Sequence, residues 1–198
     1  RSQRTAAGRD AEASEIASVV AFLMSNESRW VNGQTLAADG GVAVDGDVGV
    51  VDLVQGDHPL AEVAAHVVDE RGAVGEPGRR VAVAGRPGDD RPGEVLGAAV
   101  DRWGGVDALV NNAGWSVPGF LTEQTDRALW QRTVETNLYT AIDCTQAALG
   151  PMGEAGDGSI VFISSDAAFG AIRQGVYGTT KAGLIALART TAREQGRR

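Results

Sequence analysis

Tyr177 and Lys181 stand four residues apart in a stretch, Gly175 to Glu194, whose Leu184, Leu187 and Thr191 fall on one helical stripe. On a helix that spacing puts the phenol and the ammonium on one face, one turn apart. A free phenol titrates near pH ~10, too high for easy proton exchange at neutrality. A neighbouring ammonium favours the phenolate and lowers that value, so the pair suits general acid–base work on an alcohol or a carbonyl. Ser164 and Ser165 follow an apolar run, Ser159 to Ile163, that reads as a buried strand. Ligands gather at the carboxyl ends of strands in open α/β sheets. A hydroxyl there can hydrogen-bond a substrate oxygen and favour charge developing on it. Alone, a Tyr and a Lys at this spacing also describe an ordinary surface pair.

The surrounding elements must hold these groups. Val106 to Val110 reads as a short strand running into Asn111-Asn112-Ala113-Gly114. Thr125 to Met152 reads as a long helix, stopped by the glycine-rich stretch Gly153 to Gly158. The alternation of strands and helices implies right-handed crossovers and a parallel sheet with helices on both faces. Near the start, residues 11–24 predict an amphipathic helix from Ile16, Val19, Val20 and Leu23, with Asp10 as N-cap and Glu12 in the first turn. Asn32-Gly33 marks a turn, and Gln34 to Ala38 predicts a short strand before Asp39-Gly40-Gly41. Cys144 is expected in the core. Trp30, Trp103, Trp115 and Trp130 are expected to pack, with Trp115 also near enough to Gly114 to touch substrate. His58 and His66 are expected at the surface.

Four segments in order resemble the short-chain dehydrogenase/reductase family. Val106 to Gly114 is similar to its fourth strand and N-N-A-G signature, and Glu135-Thr-Asn-Leu138 to the helix bearing its catalytic Asn. Ile160 to Ser165 is similar to the fifth strand with the catalytic Ser, and Tyr177-Gly-Thr-Thr-Lys181 to Y-x-x-x-K. The resemblance implies a Rossmann-like three-layer α/β/α fold and hydride transfer between NAD or NADP and a small alcohol or ketone. Tyr177 would exchange the proton, and Lys181 would lower its pKa and bind the nicotinamide ribose. Ser165 would position the substrate oxygen, and Asn137 would hold a relay water. Asn112, Ala113 and Gly114 would line the cofactor site with Tyr177 and Lys181. The Ser165–Tyr177 spacing is twelve, where the family usually shows thirteen. Ser164 would satisfy thirteen, whereas the Ser-Ser-Asp-Ala context favours Ser165. The helices of Asn137 and Tyr177 commonly form the family's dimer contact, which implies a homo-oligomer.

The order of motifs departs from the family. Ala13 to Leu23, Asn32-Gly33 and Asp39-Gly40-Gly41 resemble its last helix and last strand, yet here they come first. The expected organisation is one incomplete or circularly permuted domain over 1–198: residues 1–41 from the family's C-terminal part, a degenerate middle over 42–102, and a catalytic half over 103–198. The glycine-rich turn that places backbone N–H groups and a helix N-terminus against a pyrophosphate is not recognisable. Gly41, Gly46 and Gly49 read as linker. Val48 to Leu53 resembles the second strand, with Asp52 at its tip. Arg80 to Ala84 reads as another strand, with Ala84-Gly85 where an acid is usual. Without a first strand, the strands beside it are expected to lose ladder hydrogen bonds. A second reading follows: a catalytically silent remnant that only associates.

Composition sets the remaining bounds. The formal net charge of −8 argues against nucleic acid or an anionic membrane as partner. No apolar run is long enough to span a bilayer, and the single cysteine fits a reducing cytoplasm. Lys181 is the only lysine beside 17 arginines. From Leu36 to Arg102, 67 consecutive residues use only Asp, Gly, Val, Ala, Leu, Gln, His, Pro, Glu and Arg. The ten absent types fill 46 of the other 131 positions, so chance sampling does not explain the run. Within it, Leu60, Val63, Ala64, Val67 and Val68, and separately Val95, Leu96, Ala99 and Val100, still predict helix faces. The ten types present are those whose codons begin with G or C. A shifted frame in GC-rich DNA, placing the old wobble base first, yields that alphabet, and residues 41–93 are where such a segment is expected. A genuine Ala/Val/Gly/Asp-rich segment of a GC-rich genome is the other explanation. Resequencing across codons 36–102 is expected to reveal a frame change. Clean DNA together with native peptides from the run would contradict it.

Overall fold

The computed structural model describes residues 12–28, 31–36, 38, 81–84 and 92–195. In chain order its elements are α1 (Ala13–Leu23), β1 (Val81–Ala84), α2 (Pro92–Trp103), β2 (Ala108–Asn111), α3 (Arg127–Val134), α4 (Thr140–Ala155), β3 (Ser159–Phe162) and α5 (Gly175–Gln195). A π turn, Glu135–Tyr139, joins α3 to α4, and a 3₁₀ turn, Asp166–Phe169, follows β3.

The three strands form one parallel sheet in the order β1-β2-β3. Ala108 stands opposite both Val81 and Ser159, and Asn111 opposite both Ala84 and Phe162. Strand side chains alternate between faces, and the burial follows. Ala108, Val110, Val161 and Ile163 meet Ile16, Ala17, Val20 and Met24 of α1 and the residue after it. Leu109 and Ala82 point the other way, onto Leu96 and Ala99 of α2 and Cys144, Ala148 and Met152 of α4. Helices therefore cover both faces, and the architecture is Rossmann-like α/β/α. The expected loss of ladder bonds at β2 does not occur among the described residues. β1, within the Arg80–Ala84 segment read as a strand, pairs with β2 along its whole length.

Several boundaries move from their sequence expectations. The cap of α1 is Glu12, whose N–H donates to Glu15 Oε2 at 2.9 Å in a capping box; Asp10 lies outside the described residues. Gln34 to Leu36 form no strand, having no ladder partner among the described residues. The long helix starts at Arg127 because Asp126 caps it, accepting from Ala128 N at 2.8 Å. It runs past Gly153 and ends where Gly156 turns left-handed at φ 70°. Its middle contains the π turn, which periodicity does not announce. Cys144 is fully buried. Trp103 is 43% exposed rather than packed away, while Trp115 and Trp130 are half-buried. Val48 to Leu53 with Asp52, the Leu60–Val68 face, His58, His66, Trp30, Gly41, Gly46 and Gly49 lie outside the described residues.

Met24 is almost wholly buried between α1 and the sheet. Met24→Ala is expected to lower unfolding free energy by about 2–5 kcal/mol in a urea titration. A change near zero would show that α1 does not dock on this sheet.

Candidate active site

Lys181 lies on α5 and is 2% exposed. Its Nζ donates to the carbonyl of Ile163, just past the end of β3, at 2.8 Å. Ser164 returns the tie, its buried hydroxyl donating to the carbonyl of Lys181 at 2.8 Å. Strand end and helix are thus clipped twice at one place. The Lys181 ammonium sits 5.6 Å from the centre of the Tyr177 ring. Tyr177 itself is half-buried, one turn earlier on α5.

Ser165 adopts extended backbone and caps the 3₁₀ turn. Its hydroxyl oxygen accepts from Ala167 N at 3.2 Å and donates to Asp166 Oδ1 at 3.1 Å. That turn packs directly against α5. A Cβ on Gly178 would collide with the Ala167 carbonyl, so glycine after Tyr177 is what allows the close approach. The two serines differ in employment: Ser164 is committed to the helix backbone, and Ser165 stands at the turn beside Tyr177's helix.

The end of β2 supplies a third side. Asn111, Asn112 and Ala113 are buried. A Cβ on Gly114 would lie 3.6 Å from Lys181 Nζ, so the bare glycine borders the ammonium. Asn111 Nδ2 donates to Thr145 Oγ1 at 3.1 Å, while Asn111 Oδ1 and Asn112 Oδ1 are buried with no hydrogen-bond partner among the described residues. Buried unpaired acceptors are costly in a native protein. Their position at the carboxyl edge of the sheet fits a ligand carrying donors. The residues around Gly114, Tyr177 and Lys181 therefore suit the nicotinamide end of a dinucleotide. Among the described residues no glycine-rich turn offers a matching cradle for its pyrophosphate.

Asn137 lies in the π turn, and its side chain is 1% exposed. Its Oδ1 accepts from Trp115 N at 2.7 Å, and its Nδ2 donates to Trp115 O at 3.0 Å and to Thr180 Oγ1 at 3.1 Å. Both amide protons are used in clamping the chain after Gly114 onto α5. π turns recur at functional positions in helices. The guanidinium of Arg132 lies 4.5 Å over the Trp115 ring, holding that side chain against α3. The structure thus brings Asn112 to Gly114, Asn137, Ser165, Tyr177 and Lys181 to one end of the sheet. Sequence reasoning passed over Thr180 and Thr145. Thr180 lay in plain sight inside the Tyr-to-Lys segment, but a threonine on a helix carries no signal of its partner.

The family model described as short chain dehydrogenase matches residues 78–198. A second, described as enoyl-(acyl carrier protein) reductase, matches residues 1–43. The first match takes in residues 78–93, which counts against a foreign origin for that part of the degenerate run. The chain is 37% identical over 126 residues to the (2S)-[(R)-hydroxy(phenyl)methyl]succinyl-CoA dehydrogenase subunit BbsD of Thauera aromatica, covering 64% of this chain and 47% of that one. It is 40% identical over 132 residues to the L-rhamnose 1-dehydrogenase (NAD(P)(+)) of Azotobacter vinelandii, covering 65% and 50%. Among solved structures, NADP-bound ElxO superposes with a TM-score of 0.50 at 32% identity, over 53% of this chain and 43% of that one. The chain spans about half the length of the curated relatives it matches. The matched segment carries the buried Lys181, Tyr177, Ser165 and Asn137 together, and the chain belongs to the short chain dehydrogenase family.

Proposed function

We propose that this chain is the catalytic portion of an NAD(P)-dependent oxidoreductase acting on an alcohol or ketone. The observation that carries the reading is the lysine buried beside both Tyr177 and the bare backbone of Gly114. The nicotinamide, when bound, supplies the hydride. Tyr177 passes the proton at its Oη to or from the substrate oxygen. Lys181 places positive charge next to that phenol and favours its ionised form. Ser165 is the serine that meets the substrate oxygen in this reading, supported by its Ser-Ser-Asp-Ala context and by its place at the turn packed against the helix of Tyr177. Asn137 holds a water of the proton relay. Asn112, Ala113 and Gly114 line the cofactor's nicotinamide end.

The similar proteins support the substrate class: by name one acts on a hydroxy acyl-CoA and another on a sugar. Association of two copies through α3–α4 and α5 is part of the same reading. The exposure of Leu129 on α3 and of Tyr139 in the π turn supports it. A cytoplasmic location accords with the single cysteine of the sequence, Cys144, which is buried.

Mixing with NADH or NADPH is expected to shift the nucleotide's fluorescence, and a panel of ketones to show turnover. Tyr177→Phe is expected to lower kcat by about a hundred- to ten-thousandfold while leaving nucleotide binding intact. Absence of any fluorescence change at millimolar nucleotide would overturn the reading and leave a chain that only associates.

A further inference from the structure

Thr180 is almost completely buried, and its hydroxyl has two partners. It donates to the carbonyl of Tyr177 at 2.7 Å and accepts from Asn137 Nδ2 at 3.1 Å. A helical threonine commonly bonds back to a carbonyl one turn earlier. Thr179 does so with Gly175 O at 2.9 Å, on the exposed side of the same helix. Thr180 differs in what reaches its lone pair. The Asn137 amide has two N–H donors and one carbonyl oxygen. One donor and the oxygen hold the backbone of Trp115, and the second donor goes to Thr180. A chain of hydrogen bonds therefore runs from the loop after Gly114, through Asn137 and Thr180, to the main chain of Tyr177.

We propose that Thr180 is a positioning residue for Tyr177, fixing its height on α5 relative to the Gly114–Trp115 loop by joining the Asn137 amide to the Tyr177 carbonyl. Valine at 180 has the same shape but neither donates nor accepts. The Asn137 donor then loses a partner in a buried place, and the amide is free to turn away from Trp115. Reaction rates fall steeply when reacting groups are misplaced by fractions of an ångström, so the effect appears in kcat rather than in nucleotide affinity. The kinetic half of this inference rests on the oxidoreductase reading above; the structural half does not.

The test compares Thr180→Val, Thr180→Ala and Thr180→Ser with Thr179→Val as control. Amide hydrogen exchange at Trp115 and steady-state kinetics with NADPH are read for each. Thr180→Val is expected to speed exchange at Trp115 and to lower kcat about ten- to a hundredfold with nucleotide affinity unchanged. Thr180→Ser restores both, and Thr179→Val moves neither. Thr180→Ala gives the same result as valine and serves if valine prevents folding. Unchanged exchange at Trp115 in the folded valine or alanine variant would overturn the proposal. If the unaltered chain binds nucleotide but shows no turnover, the exchange measurement still decides the role of Thr180, and the failure falls on the function.

Discussion

An ammonium buried to 2% exposure is the constraint around which this site is built. Taking a charge out of water costs several kcal/mol unless hydrogen bonds and compensating dipoles replace the lost hydration. The Ile163 carbonyl meets the Lys181 Nζ, and Ser164 fastens the lysine's own backbone from the same strand end. Gly114, just past the next strand, borders the ammonium with bare backbone. The ends of β2 and β3 and the first turns of α5 must meet at one place for this to hold. The same convergence brings Ser165, Tyr177 and the Asn137 clamp into range.

Chain order matters less to this fold than face coverage. The first described helix, α1, packs on the sheet face opposite α2 and α4, although its resemblance is to a segment that comes last in the family. An apolar sheet face requires a helix stripe to cover it, whichever way the connection runs. β1 likewise pairs with β2 directly, so a three-stranded parallel ladder forms without the strand expected between them. Among the described residues such closure does not rebuild a phosphate cradle, which needs a particular turn and not merely a neighbour.

The legible parts of the sequence were those where local chemistry and periodicity agree. Tyr177 and Lys181 at helical spacing, the apolar runs around Leu109 and Val161, and the amphipathic face of α1 all emerged in place. Leu96 and Ala99 also emerged, inside a run whose composition suggested otherwise. Gln34 to Ala38 looked strand-like, but its described residues have no described ladder partner, and a strand is defined by pairing that a single segment does not contain. The π turn at Asn137 and the employment of Ser164 were invisible, because both depend on contacts between residues far apart in the chain. Spacing alone left the two serines open. In the structure Ser164 bonds the Lys181 carbonyl, while Ser165 bonds Asp166 and Ala167 within its own turn.

Because Lys181 is the only lysine, acetylation of its side chain can be followed by peptide mass without ambiguity. The rate of Lys181 acetylation with and without NADPH, set beside that of a free lysine peptide, tests the buried-ammonium account most directly. Slow modification that NADPH slows further is the predicted result. Modification at the rate of the free peptide, indifferent to NADPH, would contradict it.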